Sequence, residues 1–286
     1  MISDITLGQY FPGYSPVHKL DPRTKIILAT AAIVAVFFAN NPASFAVLIL
    51  ATFILVAISR ISMKVILKGI KPIIFILLFT AVLNVFMTSG EGAPLVEFWI
   101  IKIYTEGIVR AVFMGVRVVL LIVITSMLLT YTTSPISLTD GLEALLSPLK
   151  VIRIPVHTFA MMMSIALRFI PTLVEETEKI MNAQKSRGAD FSTGGLVKRA
   201  KALVPILIPL IVSSFKRAEE LATAMECRCY RGDKNRTKLV KLQIKGRDVL
   251  WFFVFALIVT GVILLSILPY NFELSGIIFD IAFYKF

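Results

Sequence analysis

The chain has 286 residues, 57% of them apolar and 17% charged, with a mean hydropathy of +0.84, whereas soluble domains run about 45–50% apolar and about 25% charged. That balance predicts an integral membrane protein and excludes a disordered or secreted one, while 30 Lys and Arg against 18 Asp and Glu leave a formal charge of +12. The two cysteines, Cys227 and Cys229, make neither a disulfide framework nor the four-ligand set of a structural zinc, and both are expected to be reduced thiols.

In chain order, the first 20 residues contain Asp4, Pro12, Gly13 and Pro16 in place of an apolar core, so no cleavable signal is expected there. A membrane helix needs ~20 mostly apolar residues. Between Lys25 and Arg60 no charge occurs, and the turn chemistry of Asn40-Asn41-Pro42 divides the stretch, which predicts a hairpin of two short spans. Residues 72–87, bounded by Lys71, form a third span, residues 107–130 a fourth, and residues 249–268 a fifth, with Trp251 near its start suiting an interfacial belt. Lys19, Arg23 and Lys25 precede the hairpin and Arg60, Lys64, Lys68 and Lys71 follow it, while the loop after Thr88 carries Glu91, Glu97 and Glu106. The positive-inside rule then puts the N-terminus in the cytoplasm.

Residues 131–247 carry 19 Lys or Arg against 10 acidic residues, most of the excess charge. Three helical pieces are predicted there: an amphipathic one opened by Ser137-Leu-Thr-Asp140 and running toward Ile152, a long one over residues 156–186 stopping at Gly188, and another over residues 196–229 stopping near Gly232. Residues 156–174 contain His157, Arg168 and Pro171, which favours a helix skimming the membrane over a span. The expected organisation is all-α: residues 1–130 as a four-span transmembrane region, 131–248 as a cytoplasmic module, and 249–286 as the last span with its tail.

Both long helices end alike, with Arg187 and Arg228 among small residues. A cation there complements the helix dipole, worth ~0.3–1 kcal/mol with no partner needed. The repetition also suits two docking tips, because arginine's rigid donor fork matches carboxylates on the floor of a groove.

The run MMMSIALRFIPTLVEETEKIMNAQKSRGAD (residues 161–190), followed by AMECRCYRG and preceded by HKLDPRTK (residues 18–25), resembles the transmembrane T component of energy-coupling factor transporters over nearly the whole chain. That resemblance implies two crossed coupling helices ending in small-Arg-small motifs that insert into a pair of ABC-type ATPases. It further implies a substrate-binding S component, which captures a vitamin or micronutrient and packs on the apolar face of the same helices. Ser186, Arg187 and Gly188 match the first motif. Cys227, Arg228 and Cys229 match the second with a departure, since the family commonly has Ala or Ser before the arginine and Gly after it. Arg168 and Pro171 fall on an Arg-x-x-Pro in the first coupling helix, implying a structural part in coupling: the proline bends the helix and the arginine finds a carboxylate or carbonyls.

No G-x-x-x-x-G-K-[ST] phosphate loop occurs, so ATP and Mg are expected on partner ATPases, with no cofactor on this chain. Two histidines, His18 and His157, far apart in sequence support no metal site and no hydrolase triad, and no catalytic or metal-ligating residue is assigned. The basic residues alternate with apolar helical positions, which favours anionic lipid headgroups over nucleic acid. Arg110 and Arg117 in the fourth span are expected to face the protein interior or snorkel; Arg117 either lines a transport path or pairs with a polar group of a neighbouring span. The sequence therefore predicts a non-catalytic coupling subunit in a prokaryotic cell membrane, with a self-contained secondary transporter as the alternative.

Overall fold

The computed structural model describes residues 10–88, 96–98, 101–189, 191, 195–230, 232, 242–267, 272–274 and 277–279. The expectations that rest on Glu91 and on the tail beyond residue 267 lie largely outside them. The described chain is helical apart from two antiparallel pairs of three-residue strands, Val96–Phe98 with Ile101–Ile103 and Phe272–Leu274 with Ile277–Phe279. It divides into two compact units, one built from residues 10–141 and 242–267, the other from residues 142–230.

In the first unit, α1 (Pro22–Phe38) and α2 (Pro42–Ser59) form the expected hairpin, each opened by a proline in its first turn, where the missing N–H is no loss. Asp21 caps α1, its carboxylate accepting from the Arg23 N–H at 2.9 Å. The third span is longer than expected: α3 (Met63–Ile70) runs through a 3-10 turn at Lys71–Ile73 into α4 (Ile74–Met87), 25 residues in all. Next come α5 (Thr105–Thr125), continued by a π-helical turn to Tyr131, and α6 (Pro135–Leu146); α9 (Gly246–Ile267) closes the unit. Gly107 lets α5 approach α4 closely, because a Cβ there would stand 3.2 Å from the carbonyl oxygens of Asn84 and Val85.

Five helices are long and apolar enough to cross a membrane, and the set differs from the expected one. At 17 residues α1 is the shortest of the expected five and is not among them, while a helix at Val156–Ser186 is. Length and composition alone therefore do not separate skimming from spanning for that helix.

The core of this unit collects Leu28, Ala32 and Val36 of α1, Phe45, Leu48 and Leu55 of α2, Leu120, Val123 and Met127 from α5 and its extension, and Val262 of α9. Between lipid and protein such side chains gain little from leaving water, so polar stitches decide which helix ends meet. At one end Asp248, 3% exposed, accepts from the Asp21 and Lys245 N–H groups at 2.8 Å each. Beside it Lys25, 1% exposed, donates to the Thr132 carbonyl at 2.7 Å and the His18 carbonyl at 3.3 Å, with the charges of Asp248 and Asp21 acting on it. At the other end Arg117 donates to the Ala39 carbonyl at 2.7 Å, with its guanidinium 5.6 Å from the Phe45 ring centroid. There Asn41 and Ser266 tie the α1–α2 turn to α9 through the carbonyls of Leu265 and Phe38. Arg117 is thus a structural arginine holding the hairpin turn.

Candidate functional site

The second unit is a pair of long helices, α7 (Val156–Ser186) and α8 (Leu196–Cys227), close to the expected bounds. The helix before them differs. It starts at Pro135, where the Ser134 hydroxyl accepts from the Ser137 N–H at 3.2 Å, and gives way to a 3-10 helix over Ser147–Ile152. Ser134, three residues ahead of the expected start, is the residue that satisfies that helix's first free N–H groups.

Ile165, Phe169, Leu173 and Ile180 share a half-buried stripe of α7 with Glu176, and Leu210, Ser213, Arg217 and Leu221 share the matching stripe of α8. Glu176 accepts from the Ser213 hydroxyl and pairs with Arg217. Tyr230, just past α8, donates its hydroxyl to the Met161 sulfur at 3.2 Å near the start of α7. These two contacts make the pair antiparallel.

The two ends are built alike. At the end of α7 the Gly188 N–H bonds the Lys185 carbonyl at 3.0 Å, the Ala189 N–H bonds the Gln184 carbonyl at 3.0 Å, and Gly188 takes φ +86. At the end of α8 the Cys229 N–H bonds Glu226 at 2.9 Å, the Tyr230 N–H bonds Met225 at 3.0 Å, and Cys229 takes φ 55. Both are Schellman closures with the arginine at the C-cap. The Cys229 backbone therefore adopts what Gly188 adopts freely, against a left-handed cost of ~1–2 kcal/mol for an L-residue. Ser186, Arg187, Gly188, Cys227, Arg228 and Cys229 are all exposed. Because Tyr230 meets Met161, the two arginines stand roughly the length of α7 apart, about 35–40 Å at ~1.5 Å per residue. One groove of ordinary size cannot receive both.

Arg168 and Pro171 lie on the exposed face of α7, which continues through the proline without interruption. Of the carboxylate or carbonyls expected for Arg168, no carboxylate among the described residues pairs with it. Glu176, on the face turned toward α8, takes Arg217 instead. Sequence reasoning missed Glu176, Ser213 and Arg217, although a carboxylate in an apolar stripe signals a buried partner. It also missed Glu143, whose Oε1 stands 2.9 Å from His157 Nδ1, the two side chains 10% and 12% exposed.

A family model described as a cobalt transport protein matches residues 13–239. Among similar proteins is the energy-coupling factor transporter transmembrane protein EcfT of Clostridium kluyveri, 53% identical over 248 residues that cover 87% of this chain and 92% of the relative. The EcfT of Ruminiclostridium cellulolyticum is 52% identical over 266 residues, covering 93% and 98%, and that of Bacillus subtilis 51% identical over 248 residues, covering 87% and 93%. The chain belongs to the EcfT family. As an EcfT-family chain it is a multi-pass membrane protein and a transmembrane component of an energy-coupling factor transporter. The family-model match runs from the N-terminal strap through both arginine ends and stops short of α9, so it takes in Lys25 and Arg117 of the first unit as well as the tips of the second.

Proposed function

We propose that this chain is the coupling scaffold of its transporter, passing the ATP-driven motion of two ABC-type ATPases to an S component that carries a vitamin or another micronutrient. The observation that supports this most is the pair of exposed arginine caps, closed in the same way at opposite ends of the antiparallel α7–α8 pair. Each tip presents a guanidinium flanked by small residues, suited to carboxylates in a separate groove. ATP and Mg then belong to the partners, and residues 131–248 with the N-terminus face the cytoplasm of a prokaryotic cell, where the ATPases are. Motion of either ATPase would reach the other through the Glu176–Arg217 contact between the two helices. The exposed apolar side chains Phe159, Met162, Leu207 and Ile211 are the surface on which this reading seats the S component.

Purifying the tagged chain from its own membranes in mild detergent, with mass spectrometry of what co-elutes, tests this directly. Two ATPases and at least one small membrane protein are expected. Arg187→Glu with Arg228→Glu is expected to lose the ATPases by more than tenfold while the chain stays in the membrane, because reversing a charge against carboxylates costs several kcal/mol. Undiminished ATPase recovery with the double variant would remove both tips from the docking role.

A further inference from the structure

A second binding feature lies in the first unit. Between α1, α2, α5 and α9 is a cavity of about 170 Å³, lined by Ala32 and Ala35 of α1, Ala51 and Ile58 of α2, and Trp251 and Phe255 of α9. Small residues on one side face large rings on the other, which leaves a slot where full packing would leave none. The hydroxyl of Thr52, the one polar side chain on the lining apart from the Trp251 indole, is spent on the Leu48 carbonyl at 2.7 Å. The slot opens outward along Ile54 and Val254, which are 48% and 45% exposed. On a chain that crosses the membrane, that opening faces hydrocarbon.

One end of the slot is basic. Arg60 follows Ile58 by two residues at the end of α2, and Lys245 and Arg247 precede Trp251 by about one and a half turns and one turn. All three are exposed. The neighbouring acid, Asp248, is buried, with its two oxygens bonded to the N–H groups of Asp21 and Lys245. It does not offer its carboxylate to the slot's mouth. A lipid-facing apolar slot that ends in three exposed cations at the level of an interfacial tryptophan matches one molecule in both its parts. We infer that this groove is a binding site for an anionic phospholipid, with an acyl chain lying between α2 and α9 and the headgroup phosphate held among Arg60, Lys245 and Arg247.

The test is spin-labelled lipid contact with the whole complex, or with the chain alone if it is recovered alone, in vesicles of phosphatidylcholine doped with labelled phosphatidylglycerol or labelled phosphatidylcholine. For the wild-type protein, the immobilised fraction is expected to favour phosphatidylglycerol several-fold. Arg60→Gln with Lys245→Gln and Arg247→Gln should erase that preference. Lys64→Gln with Lys68→Gln removes two exposed cations of α3, a helix none of whose residues lines the slot, and should leave the preference in place. Ala51→Leu, which fills the slot, should lower the immobilised fraction of both lipids. Equal immobilisation of the two lipids by the wild-type protein overturns the inference, and so does an equal loss of preference in the control and test variants. Should Ala51→Leu fail to fold, the wild-type and charge variants still decide the question.

Discussion

The two units solve the problem of stability in opposite ways. In the first, most buried side chains belong to helices that are also stitched end to end, by Lys25 and Asp248 at one extremity and by Arg117 and Asn41 at the other. In the second, Val156, Ala160 and Ile206 are the buried apolar residues among those described, and the contact between α7 and α8 turns on Glu176. A unit that must hold its shape inside lipid cannot rely on apolar burial and so fixes its helix ends with buried polar groups. A helix pair that leaves its apolar faces and cationic tips exposed is built for contact with other chains or with the membrane.

This contrast can be broken at specific residues. Asp248→Ala should act hardest, leaving the N–H groups of Asp21 and Lys245 without their acceptor and taking away one of the two carboxylate charges that act on buried Lys25. About 3–5 kcal/mol of stability should go, read as a fall in the thermal unfolding midpoint of the detergent-solubilised chain. A midpoint within a degree of wild type would show the stitch to be unimportant. Glu176→Gln should cost about 1–2 kcal/mol, reduced by partial exposure of the pair at 22% and 34%. Its effect should stay local, with faster amide exchange in α7 and α8 and none in α1 and α2. Faster exchange throughout would mean that the two units are not independent.

The tips permit a finer comparison. Cys229→Gly should firm the end of α8 by about 0.5–1 kcal/mol, the left-handed strain removed less the entropy of a glycine, whereas Gly188→Ala should loosen the end of α7 by a similar amount. Amide exchange at residues 184–189 and 225–230 checks both directions.

The smallest effect concerns the strap before α1. His18 Nε2 donates to the Phe11 carbonyl at 3.0 Å and Nδ1 accepts from the Ser15 hydroxyl at 2.6 Å, an arrangement that holds the neutral ring. Burial lowers its pKa from 6.5, the Phe11 carbonyl opposes this, and the nearby Lys25 charge adds to it. The unfolded strap therefore binds a proton more readily than the folded one, and stability present above about pH 6.5 declines as pH falls below it. Protection of the amides at residues 11–20, taken relative to the intrinsic exchange rate at each pH, should fall on acidification, and His18→Gln should flatten that response.

Much of this was legible from local signals. Asn40-Asn41-Pro42 marked the hairpin turn, Gly188 the end of α7, and the repeated arginine ends the candidate site. The caps were readable because they depend on a few adjacent residues whose backbone preferences are intrinsic. The start of α6 was misplaced for a local reason too, since Ser134 and Ser137 both offer capping hydroxyls and only the bonds made tell them apart.

The amino-acid sequence by itself determined the membrane class, the helical periods, the C-terminal ends of both long helices and the family to which the chain belongs, all carried by composition and short-range pattern. Only the tertiary structure decided that Arg117 secures the hairpin turn, that Arg217 and not Arg168 meets a carboxylate, and that Asp248 fastens α9 to Asp21. Those pairings join residues 41 to 227 positions apart. Which polar group finds which at such separations depends on where packed helices bring their ends, and that placement is a property of the whole fold.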